Sequence, residues 1–74
     1  MKLPKLTAII EHSEKLYVVT CPELDIVSQG KTLKEAEHNI QEAVELFLEC
    51  ASTKEIKRRL SRNVKIKPLE LLHA

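Results

Sequence analysis

The sequence has a single glycine, Gly30, which excludes a glycine-rich phosphate loop. It has no tryptophan, and its one tyrosine and one phenylalanine, Tyr17 and Phe47, both fall at positions that read as buried. A platform for stacking nucleotide bases is therefore not expected. The two cysteines, Cys21 and Cys50, are far apart and show no CxxC spacing, so neither a zinc motif nor a disulfide framework can be drawn. Both thiols are expected to be free, as in a reducing compartment. No apolar run is long enough to span a bilayer. The stretch Met1–Lys5 is polar, is interrupted by Pro4, and does not read as a secretory leader. A cytoplasmic protein without membrane association is expected.

What remains is one domain of 74 residues. A chain of this size buries only about 60–65% of the surface it exposes when unfolded, so its core is thin. Small scaffolds lean on disulfides, a metal or a partner subunit. With the first two set aside, self-association as a homodimer or tetramer is expected. Charge is unevenly placed. Residues 1–52 hold five lysines and nine acids, a net of −4, whereas residues 53–74 hold seven lysines or arginines and two glutamates, a net of +5. The head is acidic and the tail basic.

Lys5–Glu11 is β-branched and apolar without a preceding helix cap, which predicts a strand. His12–Lys15 reads as a hairpin turn, and Leu16–Thr20 as a second strand with Tyr17, Val19 and Cys21 on one face. Pro22 ends that strand. Asp25–Gln29 is a short third strand, and Gly30 marks a sharp turn before a helix. Thr32 and Glu35 fit a capping box. Leu33, Ala36, Ile40, Ala43, Val44, Phe47 and Leu48 then follow at helical spacing as one apolar stripe. Leu46 breaks the pattern, either as an ordinary exposed leucine or as a partner contact. Ser52 and Glu55 form a second capping box, opening a short helix to about Leu60, with Asn63 as a left-handed exit. Val64–Lys67 alternates strictly and predicts a closing edge strand reaching Leu72, with Pro68 inside it. The expected fold is α+β, in the order β-β-β-α-α-β, with a three-stranded antiparallel sheet covered on one face by helix.

No catalytic constellation emerges. Glu35, His38 and Glu42 share one helix face, but carboxylate-bridged metal sites need such a pair on each of two helices, so these read as a solvated face. Neither a metal nor a cofactor is expected. His12 and His73 have no apparent partners. Cys21 and Cys50 read as small buried hydrophobes rather than nucleophiles. The basic segment from Lys54 to Lys67, with Arg58, Arg59 and Arg62 close together, could contact phosphates, or could be ordinary solvated charge near a helix C-terminus.

The run from Tyr17 to Glu49 resembles the HicB antitoxin family. Cys21-Pro22-Glu23-Leu24, Ser28-Gln29-Gly30, Thr32, Glu35-Ala36, Asn39-Ile40 and Glu42 through Glu49 fill its pattern, and the likeness continues through Glu55–Leu60 into the closing stretch. Many members have Pro-Gly-Cys after the Cys-Pro-Glu-Leu step. Here Asp25-Ile26 follows directly, as in a subgroup of the family. Many members also carry a DNA-binding module after this domain, and none is expected in these residues. The resemblance implies a partial RNase H-like fold and binding to a HicA-type toxin, a small ribonuclease whose active site the antitoxin masks. RNase H chemistry needs several carboxylates converging on two metals. Only Glu11 lies near the first strand, so no enzymatic activity is expected.

Two functional classes follow. The first is an inhibitory binding module, with Glu23, Asp25, Glu42, Glu45 and Glu49 as candidate contacts to a basic partner, chosen on charge. The second is a nucleic-acid-binding regulator using Arg58, Arg59 and Arg62. A residual nuclease ranks last. Pro22, Gly30, Thr32 and Glu35 read as structural, setting turns and a helix cap.

Overall fold

A computed structural model describes residues 3–71. Three strands, β1 (Ile9–His12), β2 (Tyr17–Cys21) and β3 (Ile26–Gly30), precede two helices, α1 (Leu33–Cys50) and α2 (Thr53–Leu60). The strands form one antiparallel sheet in the order β1-β2-β3. The α+β class and the expected β-β-β-α-α order are observed.

The register explains which residues form the core. Ile10 pairs with Val19, and Val19 with Ser28, while His12, Tyr17 and Gly30 form the next row. Cross-strand partners share a face, so Tyr17, Val19 and Cys21 look toward α1, as their alternation predicts. Val19, Cys21, Leu24, Ala36 and Ile40 form the buried cluster, with Phe47, Leu48 and Leu60 packed around it. His12 and Tyr17 stack their rings at 4.0 Å on this face. On the opposite face, Ile9, Thr20 and Val27 line up in one row that no helix covers, and Ile9 and Val27 are exposed.

Both helix starts are capped as read. Thr32 Oγ1 accepts from Glu35 N at 3.0 Å, and Ser52 Oγ from Glu55 N at 3.1 Å. The return bonds differ from a reciprocal box. Glu35 Oε1 accepts from Lys31 N at 3.3 Å, one residue before the cap. Asn39 Nδ2 donates to Gln29 O at 2.8 Å and ties α1 to β3. Asn63 has φ 50, the left-handed exit expected after α2.

Three expectations are corrected and one is refined. First, the closing strand at 64–72 is not formed in residues 64–71, and Leu72 lies outside the described residues. Alternation records a propensity, but pairing needs a free edge within reach. Asn63 turns the chain away at the end of α2, and Pro68 removes a donor from the run. Second, Cys50 is exposed, at the last position of α1 and one turn after exposed Leu46. Third, strand bounds shift: β1 begins at Ile9 rather than Lys5, and β2 and β3 each run one residue later than read. The chain does bend sharply after Gly30, over residues 31–32, as read, but Gly30 itself has no positive φ. It is the buried last residue of β3, where the sheet meets the first turn of α1. A Cβ there would lie 2.5 Å from the Ala36 backbone nitrogen. Backbone cannot swing aside as a side-chain tip can. Gly30→Ala is therefore expected to destabilise the fold by about 1–3 kcal/mol, the usual cost of overpacking, read as a lower midpoint in chemical denaturation.

The clamped turn and the acidic helix face

The β2–β3 connection, Pro22–Asp25, is the most heavily bonded turn in the described residues. Continuing the β1–β2 register would set Thr7 opposite Pro22, a residue with no N–H. The sheet stops there, and the Glu23 side chain takes over. Its Oε1 accepts from Thr7 N at 2.9 Å, and its Oε2 from the Thr7 hydroxyl. The Cys21 thiol donates to Oε1 at 3.5 Å. Partial burial alone would raise the Glu23 pKa, but the hydroxyl and amide of Thr7 outweigh it and hold the carboxyl below its ordinary value. Burial, with the Glu23 charge adding to it, pushes the Cys21 thiol up, which keeps it protonated and a poor nucleophile.

The other side of the turn is held by α2. Arg59 Nη1 donates to Leu24 O at 2.7 Å and to Asp25 O at 3.4 Å, and Arg62 Nη1 donates to Pro22 O at 3.1 Å. The Arg59 guanidinium also lies 4.7 Å from the centroid of the Phe47 ring and receives support from Glu55 Oε1 at 3.3 Å. Glu55 bonds Arg58 as well, so this carboxylate orients arginines instead of closing its capping box. Leu24, fully buried, plugs the core beneath the turn. Asp25 sits at φ 57, a left-handed position that aspartate tolerates better than most residues.

The candidate residues therefore separate. Glu23 is engaged inside the molecule. The Asp25 carboxylate is exposed on the turn, while its carbonyl belongs to the clamp. Arg59 and Arg62 hold backbone carbonyls, and Arg58 is exposed, its guanidinium bonding only Glu55 among the described residues. Pro22 and Gly30 act in the sheet's boundaries, and Thr32 and Glu35 in the cap. Glu42, Glu45 and Glu49 lie together on the exposed face of α1 at i, i+3 and i+7. Glu42 pairs with His38 at 2.7 Å. Leu46, 60% exposed, sits among them. Sequence reading missed Thr7 and the carbonyl-binding role of the arginines. No local signal marks either, since the partners are 16 to 40 residues apart.

Among the described residues, no group of three or more His, Cys, Asp or Glu is placed to hold a metal, and no helix is long and apolar enough to cross a membrane. A shallow apolar groove of about 340 Å³ runs between residues 6–8 and α1, with Glu37, Gln41 and Glu45 along it.

These features define a small α+β domain whose one heavily organised site is a structural turn and whose open surface is an acidic helix. The chain is 39% identical over 70 residues to a UPF0150 protein of Helicobacter pylori strain J99, a match that covers 93% of this chain and 97% of the relative. It belongs to the UPF0150 family. No family model matches the chain, and no solved structure matches it.

Two outcomes check the clamp. The folded-state pKa of Glu23 is lowered, so its contribution to stability is full above the unfolded carboxyl pKa of about 4.3 and is lost as pH falls through the folded value. Glu23→Gln is expected to flatten this acid limb in denaturation curves taken from neutral pH downward. Arg59→Lys keeps the charge but loses the planar fork that reaches two carbonyls. It is expected to lower stability by about 1–3 kcal/mol, against less than about 0.5 kcal/mol for Arg58→Ala, measured by denaturant midpoint.

Proposed function

We propose that this chain is a HicB-type antitoxin domain, a binding module rather than an enzyme, that masks a small basic HicA-type ribonuclease. The carrying observation is the outer face of α1. Glu42, Glu45 and Glu49 lie beside exposed Leu46, Glu42 at i−4 and Glu49 at i+3, and the last turn of this helix contains no basic residue. A carboxylate near a helix C-terminus works against the helix dipole, so Glu49 weakens the fold slightly where it stands. An exposed apolar residue beside charged ones is compatible with a protein–protein contact. Such a face suits a positively charged RNA-binding partner, by steering the encounter and fixing its orientation. Membership in UPF0150 and the near-complete motif from Cys21 to Glu49 support the same reading. A cytoplasmic setting follows from such a partner.

The alternative, phosphate contact through Arg58, Arg59 and Arg62, is weakened by geometry, because two of the three guanidiniums bond carbonyls of the β2–β3 turn.

The experiment is a pull-down with the product of the neighbouring reading frame, with RNA cleavage assayed with and without this chain. A stable complex that silences cleavage is expected. Glu45→Lys with Glu49→Lys is expected to weaken it at least tenfold without unfolding the domain, since both side chains are exposed. No complex, together with salt-sensitive RNA or DNA binding by the chain alone, would overturn the reading in favour of the basic tail.

A further inference from the structure

Strand β1 is exposed on every side but one. It is an edge strand, bonded only to β2, so alternate backbone groups point outward unpaired. Ile9 and Ile10 project to opposite faces of the sheet, yet are 42% and 45% exposed. Ile10 shares its face with fully buried Val19. The difference is that α1 packs mainly over β3 and β2. The uncovered ground is the apolar groove lined by Leu6, Ala8, Ile40 and Val44.

The tail has the opposite deficiency. Residues 64–71 carry an alternating run with no strand to join, and Ile66, Leu69 and Leu71 are 54%, 85% and 74% exposed. Only Val64 is half-buried, near Pro4, Lys5 and Leu60. The radius of gyration is 14.3 Å, against about 11 Å expected for a compact chain of this length. The tail therefore stands off the body that its own sheet would offer it.

We infer that residues 64–71 of a second copy add to the free edge of β1 as a fourth strand, so that two copies exchange tails around a two-fold axis. Strand addition supplies backbone bonds to both unpaired partners. Alternation sets Val64 and Ile66 on one side, against Ile10 and the groove, and Lys65 and Lys67 on the other, the side of Glu11. Charge favours the match, because the head that receives the strand carries −4, whereas residues 64–71, with Lys65, Lys67 and Glu70, carry +1. The exchange is reciprocal and closed, so it gives a dimer, not a fibre. Pro68, which cannot donate to a ladder, limits the added strand to its first few residues. The inference is independent of any ribonuclease partner, since it concerns the chain by itself.

The test combines mass in solution with disulfide trapping, both on the full chain at micromolar concentration. Light scattering is expected to give twice the chain mass for the native protein and the single-chain mass for Ile66→Asp, with an unchanged circular dichroism spectrum. Ile66 lies outside the core, so this variant retains its fold. In a Cys50→Ser background, Ile10→Cys and Ile66→Cys copies are mixed and oxidised, and a crosslinked pair is expected. A single-chain mass for the native protein would overturn the inference. So would a dimer that survives Ile66→Asp, or an internal disulfide in a chain carrying both cysteines, which would show the tail docking on its own body.

Discussion

The fold depends on how the sheet ends at Pro22. A proline there removes the donor that β1 would use to extend its ladder, and the chain still has to reverse, bury Leu24 and start β3 within four residues. The turn's polar groups find partners beyond the sheet. Glu23 stands in for the missing ladder toward Thr7, and Arg59 and Arg62 reach in from α2 to the carbonyls on the other side. Bonds between a charged group and a backbone amide or carbonyl are worth about 1.5–3 kcal/mol each, roughly twice an ordinary one. In a domain with six buried hydrophobic residues among those described, that is a large share of the stability. The turn thus joins the N-terminal segment, the sheet and the second helix by polar bonds, beside the apolar contacts that Leu6 and Leu60 make with the core.

This arrangement sorts charge into two kinds. Glu23, Glu55, Arg59 and Arg62 are consumed in holding the molecule together. The carboxylates of α1 and the lysines of the tail are not, and each is placed where it gives the isolated domain little. Glu49 opposes its helix dipole, and Lys65 and Lys67 lie on an exposed segment with no secondary structure. Surfaces that contribute little to the fold are open to partners, and the two proposed differ in sign: the α1 face would meet a basic protein and the tail a second copy. The thin core makes both understandable, because a chain of this size gains stability most readily by sharing surface.

Much of this was legible in the sequence, and the limits are physical. The helix caps at Thr32 and Ser52, the stripe through Ala36 and Ile40, the face shared by Val19 and Cys21 and the left-handed Asn63 all depend on neighbours within four residues. Local pattern therefore suffices. The pairing of Glu23 with Thr7 and of Arg59 with Leu24 joins distant residues, and a charge looks the same in sequence whether its partner is internal or external. That is why Glu23 read as a partner contact and Arg59 and Arg62 as phosphate contacts. The tail from Val64 shows the same limit in reverse. Its alternation states a readiness to pair, but only the sheet's open edge and the exit angle at Asn63 decide with what. Gly30 was rightly singled out at a turn, but the close approach of the Ala36 backbone was not legible. A glycine forced by a neighbouring backbone leaves the same mark as one forced by a turn.

The most direct measurement of this account is native-state hydrogen exchange at the Thr7 amide. Thr7 lies outside every strand, so nothing but the Glu23 carboxylate protects its N–H. The account predicts protection comparable to that of the β2 amides. Exchange at the rate of an unstructured peptide would mean that the N-terminal segment is not held to the turn, and that the clamp is not what joins the parts of this fold.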